Sequence, residues 1–318
     1  MGCTAMVLSY NDLYLNLRKR LRREGVAASA LEARELICAA SEKSQEQFYR
    51  DLPLYAPNEV QERLEELLVR RLTGEPVAYL VGEWEFYGLT LTINPHVLIP
   101  RPDTELLVDR AVDLMEEAGP GARVLDLCTG SGCVGLAVAA RIPGARAVLL
   151  DASPEALAVA KENIRRNQLS ARVTALLGDA KETPEPALWD FDVITCNPPY
   201  IPTGVIPTLD SSVRDYEPHL ALDGGSDGLD FYRRIAPLWR DSLRLGGSLL
   251  FEVGIDQAQA VQAILKAAGY MDIKIREDLA GIARVVEGKV SEETEKVEER
   301  EHGREEEEHG TDGGPGHG

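Results

Sequence analysis

The sequence predicts a mixed α/β protein: a small helical region, a β-hairpin, and then a mostly parallel sheet covered by helices on both faces. Three observations carry this. Leucines recur at helical spacing between residues 10 and 74, residues 84–93 alternate about a glycine, and strand-like and helix-like segments take turns from residue 105 to residue 276.

Taken in order, Leu13, Leu17 and Leu21 repeat at i+4 on one helix face, and Gly25 marks a stop. Leu31, Leu36 and Ile37 mark a second helix. Asn58 is placed to cap a third, whose apolar face is Val60, Leu64, Leu67, Leu68 and Leu72 and which ends at Gly74 before Pro76. Trp84–Tyr87, Gly88 and Leu89–Ile93 read as a hairpin between two domains. Beyond it, strands are expected at 123–127, 147–150, 173–177, 192–196, 247–253 and 273–276. Helices are expected at 105–118, 132–141, 154–168 and 257–268. The resulting domains are a helical unit at 8–74, a hairpin linker at 75–95 and a sheet domain at 96–289. Residues 290–318, Glu-rich and then Gly-rich, are expected to be a disordered acidic tail.

Of 318 residues, 44% are hydrophobic, enough for a substantial core, and net charge is −19. The tail carries 11 acidic and 3 basic residues and so holds −8 of that charge. An acidic body argues against duplex nucleic acid as the main partner, which calls for a basic face. Five cysteines without a CxxC motif read as reduced thiols, and no metal-ligand cluster is evident. The opening residues lack the pattern of a secretory signal, and no apolar run approaches 18 residues; no membrane association, a cytoplasmic location and a monomer are expected.

The strand at 123–127 feeds Cys128-Thr129-Gly130-Ser131-Gly132 and then a helix, an arrangement that brings backbone N–H groups close to a ligand. Asp151 follows the next strand, where a carboxylate can accept both hydroxyls of a ribose; Asp179 and Ala180 end the third, where an adenine would lie. Each aspartate has a plainer use as well: Asp126 for backbone groups at its strand end, Asp151 as a helix cap, Asp179 in a turn. Gly130, Gly132 and Gly135 also match a dinucleotide fingerprint, so this segment by itself suits NAD and S-adenosylmethionine (SAM) equally.

Asn197-Pro198-Pro199-Tyr200, directly after the fourth strand, breaks that tie. An amide –NH2 is a poor nucleophile because its lone pair is drawn into the carbonyl. The Asn197 side-chain oxygen can accept one of its N–H groups, the carbonyl of Pro198 the other, and Tyr200 can lie against the planar group. Such a clamp belongs beside a methyl donor and has no evident task in hydride transfer. A SAM- or NAD-sensing binding module would leave it without a purpose.

With Gly74-Glu75-Pro76-Val77-Ala78-Tyr79, Glu85–Gly88, Val97–Glu105, Tyr216-Glu217-Pro218 and Asp227–Tyr232, these motifs resemble the release factor glutamine methyltransferase family over roughly residues 8–289. The resemblance implies a Rossmann-like class I methyltransferase sheet of seven strands behind a helical substrate-recognition domain and a hairpin. It also implies methylation of the Gln in the Gly-Gly-Gln loop of peptide chain release factors, modulating translation termination. SAM would lie against Cys128, Thr129, Gly130, Ser131, Gly132, Asp151, Asp179, Ala180 and Asn197, and the substrate Gln on Asn197, Pro198, Pro199 and Tyr200. Alternatives are a ribosomal-protein glutamine methyltransferase and an adenine-N6 DNA methyltransferase, the latter needing a basic surface for a flipped base. Two departures stand out: Cys128 where members often carry Gly, which alters the first turn of the loop, and Ala180 where some place an aromatic residue, which leaves adenine stacking either weaker or supplied by another side chain. His96 and His219 read as surface or structural residues. Arg101 suits either substrate contact or pairing with a carboxylate, and Glu217 is a loop residue near the substrate.

Overall fold

The computed structural model describes residues 8–185 and 187–291. Helix α1 (Tyr10–Arg23) begins at a capping box: Ser9 Oγ accepts the Asp12 N–H at 3.1 Å while the Asp12 carboxylate accepts the Ser9 N–H. It buries Leu13, Leu17 and Leu21. In α2 (Ser29–Ser41), Leu36 and Ile37 are buried but Leu31 is exposed. A second capping box, Ser44 with Gln47, opens α3 (Gln45–Asp51), too short for its pattern to stand out in the sequence. Helix α4 (Asn58–Leu72) corrects the expected cap. Pro57 holds that position at φ −55°, and Asn58 is the first helical residue. Leu64 and Leu68 are buried and Leu72 is exposed.

Helix α5 (Val77–Val81), unmarked in the sequence reading, joins two cores. Val77 and Leu80 pack with the N-terminal leucines, whereas Ala78 and Tyr79 enter the core of the sheet. The hairpin then forms from β1 (Glu83–Phe86) and β2 (Leu89–Thr92), turning through Tyr87 (φ +50°) and Gly88 (φ +75°). Phe86 and Leu91 belong to the sheet core. Asn163 fixes this attachment: fully buried, it accepts the Thr92 N–H at 2.6 Å and donates to the carbonyls of Thr92 (3.1 Å) and Ser131 (2.9 Å).

From there α6 (Glu105–Ala118), β3 (Arg123–Leu127), α7 (Cys133–Arg141), β4 (Arg146–Asp151), α8 (Pro154–Arg166), β5 (Val173–Leu177) and β6 (Phe191–Cys196) alternate as expected. Next come α9 (Ser211–Arg214), α10 (Asp230–Leu238), β7 (Leu243–Glu252), α11 (Ala258–Ala267), β8 (Met271–Glu277) and β9 (Ala283–Lys289). The sheet has seven strands in the order β5-β4-β3-β6-β7-β9-β8. Strands β5 to β7 are parallel; β9 runs antiparallel between β7 and β8. Strand β9 was not expected, because only Val285 and Val286 show in its pattern.

Val290 corrects the start of the expected tail. It is buried, donates to the Gly247 carbonyl at 3.0 Å and accepts from the Gly246 N–H at 2.9 Å. The rest of that expected tail, from residue 292, lies outside the described residues.

Because Asn163→Ala would strand the Thr92 backbone groups, we expect it to lower unfolding free energy by about 2–3 kcal/mol. Urea unfolding monitored by circular dichroism measures this; a loss under about 0.5 kcal/mol would show that Asn163 is not the attachment.

Candidate active site

Strand order reverses at β3: the chain runs outward through β4 to β5 on one side, then returns to place the parallel strand β6 on the other. Ligand clefts in open α/β sheets form at the carboxyl ends of strands at such a switch point. A cavity of about 240 Å³ lies there. Its walls include Cys128, Thr129, Gly130, Ser131, Asp151, Asp179, Ala180, Asn197 and Pro199. Gly132, Pro198 and Tyr200 are not part of its lining.

Asp126, buried at the end of β3, organises the floor. Its carboxylate accepts from the Thr129 hydroxyl, from the Thr195 hydroxyl at 2.8 Å and from the Gly135 N–H at 3.2 Å. Burial pushes this carboxyl up to about 6 despite those three donors. Asp151 accepts the Gly130 N–H at 2.8 Å and the Ser153 N–H at 2.9 Å, so it braces the loop from the β4 side, and burial raises its carboxyl too. The cap of α8 is Ser153, whose hydroxyl accepts the Ala156 N–H. Asp179 accepts the Lys181 N–H at 2.9 Å, a local turn that leaves it on the cavity wall.

The three glycines divide their tasks. A Cβ on Gly130 (φ +55°) would meet nothing within 4 Å, so this is the open approach. On Gly132 it would lie 3.0 Å from Leu149, and on Gly135 2.2 Å from Leu149. These two glycines serve the packing of α7 against β4 rather than access for a ligand. Cys128 holds φ +55°, a conformation that favours glycine, which explains why Gly suits this place.

Asn197 leaves the end of β6, with Nδ2 3.4 Å from Thr104 Oγ1. Pro198 and Pro199 are buried and Tyr200 is half-buried, its hydroxyl pushed up to about 12 by burial. Arg101 forms an ion pair with Glu217, whose carboxylate also accepts the Ile99 N–H at 3.3 Å. Arg101 therefore pairs with a carboxylate while also lining the cavity, and Glu217 is buried structure rather than an exposed contact. His96 is exposed at the cavity rim.

The family model for the PrmC N-terminal domain matches residues 12–82 and that for the methyltransferase small domain residues 103–208. A release factor glutamine methyltransferase of Geobacter sulfurreducens is 41% identical over 86% of this chain and 94% of its own. One from Caulobacter vibrioides is 39% identical over 89% and 97%. The chain belongs to the release factor glutamine methyltransferase family. It is a SAM-dependent protein-glutamine methyltransferase. The hMettl16 catalytic domain, solved with the MAT2A 3'UTR hairpin 6, is 18% identical with a TM-score of 0.54 over 70% of this chain and 82% of that one, a likeness of fold alone.

Several residues around this cavity were given no role in the site by the sequence, although Gly228 and Phe231 fall within the Asp227–Tyr232 motif. Phe231 lines the cavity, as Ala180 does, with Lys181 Nζ 4.6 Å from its ring centroid. The loop before α10 closes on Asn197–Tyr200. A Cβ on Gly224 would lie 2.7 Å from Tyr200 Cα, and one on Gly228 2.3 Å from the Tyr200 carbonyl oxygen. Gln257 donates to that same carbonyl at 2.9 Å and accepts the Gly254 N–H at 3.0 Å. The repeated glycines of residues 224–228 were the available signal, but only a fold shows what backbone they must admit. Among the described residues, no helix is long and apolar enough to cross a membrane, and no group of three or more His, Cys, Asp or Glu side chains is arranged for a metal.

Gly224→Ala should therefore displace the Pro199–Tyr200 backbone. We expect kcat to fall at least about tenfold while SAM affinity stays within about threefold. Methyl-transfer kinetics and calorimetric titration with SAM check both halves.

Proposed function

We propose that this protein transfers the methyl group of SAM to the side-chain amide nitrogen of the Gln in the Gly-Gly-Gln motif of peptide chain release factors, and so modulates translation termination. The observation that carries the reading is the place of Asn197: at the end of β6, beside the switch point, on the cavity wall, with its amide nitrogen turned toward Thr104. Its oxygen is thereby left for a substrate N–H.

The cavity suits SAM by the chemistry of its walls. Asp151 and Asp179 offer carboxylate acceptors, Gly130 leaves room for close approach, and Phe231 offers a ring face. Ser131 Oγ lies buried on the same wall without a formed hydrogen bond. When bound, SAM supplies an electrophilic methyl group on a sulfonium. What the chain contributes is positioning: Asn197 and the Pro198 carbonyl would hold the two N–H groups of the Gln amide and aim its nitrogen. Those N–H groups grow more acidic as the nitrogen attacks, so both acceptors bind more strongly in the transition state than before it. Tyr200 would rest against the amide plane. The helical region at 8–74 would grip the release factor away from the reacting Gln, the hairpin at 75–95 would link it to the catalytic unit at 96–289, and the protein would act as a cytoplasmic monomer.

Labelled methyl from SAM should appear on a purified release factor carrying Gly-Gly-Gln and not on one carrying Gly-Gly-Asn; label on neither would sink this substrate assignment. Asn197→Ala should reduce kcat by about 10²–10³-fold with SAM affinity changed only several-fold. Survival of methylation in that variant would overturn the clamp. Removal of residues 292–318 should leave activity within about twofold, read by the same labelled transfer.

A further inference from the structure

The clamp needs the Asn197 amide in one of two orientations, oxygen toward the substrate. A primary amide is nearly symmetric in shape, so only its partners choose between them. Strands β6 and β7 are parallel neighbours with Cys196 opposite Phe251. The next residues, Asn197 and Glu252, therefore emerge side by side. Glu252 is only 3% exposed. Thr104 and Asn197 both approach its carboxyl, yet Oε2 is buried without a formed hydrogen bond. An unmet buried acceptor is costly, and such cost concentrates at functional sites.

Apart from Thr104 and Asn197, the surrounding groups are engaged elsewhere. Arg284 from β9 is engaged with Asp103 (2.8 Å) and Asp278 (3.0 Å). The Tyr232 hydroxyl from α10 donates to the Glu252 backbone carbonyl at 2.9 Å. Asp103 ahead of α6, Cys133 at the start of α7 and Tyr200 after β6 complete the titratable groups that feel its charge.

We propose that Glu252 is a positioning residue: its carboxylate, directly and through the Thr104 hydroxyl, draws the Asn197 –NH2 inward and fixes Oδ1 toward the substrate nitrogen. This rests on reading Asn197 as the clamp. Protonation undoes the arrangement, because a carboxylic acid has an O–H to donate and can turn the amide over. Burial pushes the Glu252 carboxyl up to about 7, against the Thr104 hydrogen bond, with Asp103 raising it further and Arg284 and Asn197 lowering it. A raised acid is ionised only above that value, so kcat rises with pH through about 7.

The test uses the full chain with Glu252→Gln and Glu252→Asp, following methyl transfer to release factor and the side-chain amide ¹⁵N resonance of Asn197, identified by its loss in Asn197→Asp. Glu252→Gln is expected to lower kcat about 10- to 100-fold, keep KM for SAM within about threefold and abolish the pH step, with partial recovery in Glu252→Asp. In the unsubstituted chain the Asn197 resonance is expected to titrate near neutral pH. An unchanged kcat and pH step in Glu252→Gln would overturn the proposal, as would kcat, SAM affinity and melting temperature falling together, or an Asn197 resonance that does not titrate. The resonance is recorded without release factor, so it decides the role of Glu252 even if the wild-type chain fails to methylate that substrate.

Discussion

One buried carboxylate holds the catalytic half of this protein in register. Asp126 ends β3 and draws to itself a hydroxyl from the glycine loop, a backbone N–H from the first turn of α7 and a hydroxyl from β6. Three elements are fixed at one point. Burial opposes its charge, and the donors oppose burial; the balance leaves a carboxyl raised but well supplied. The loop is tied to the neighbouring strand as well, by the Thr129 N–H on the Leu150 carbonyl and the Gly130 N–H on Asp151.

Close packing sets the second constraint. Gly135 lets α7 lie against Leu149, and Gly224 and Gly228 let a loop lie against the backbone of Asn197–Tyr200. The two prolines stiffen the segment from within, and the loop carrying Gly224 and Gly228, together with Gln257, holds it from without. Under the proposed function, an acceptor at Asn197 that aims a nitrogen would draw on this double restraint. The N-terminal helices connect to the same framework through the hairpin, whose strand β2 is tied by Asn163 to the carbonyl of Ser131. A load on the helical region thus has a short covalent and hydrogen-bonded path to the glycine loop.

The sequence by itself determined the alternation of strands and helices, the glycine loop and the stiff segment after β6, because each is written in local pattern: leucines at i+4, alternating strands, and an Asn-Pro-Pro-Tyr run whose rigidity is intrinsic. It did not determine Pro57 as a cap, the five-residue α5 or β9, where the pattern is too short or only Val285 and Val286 carry it. Only the tertiary structure decided which glycines open the cavity and which admit a helix, since both look alike in sequence and differ in backbone φ and in what a Cβ would strike. It alone paired Arg101 with Glu217, brought Phe231 to the cavity that Ala180 also lines and set Glu252 next to Asn197, residues 116, 51 and 55 positions apart. Such neighbours are chosen by strand order across the sheet, and strand order is settled by packing over long sequence separations that no local window contains.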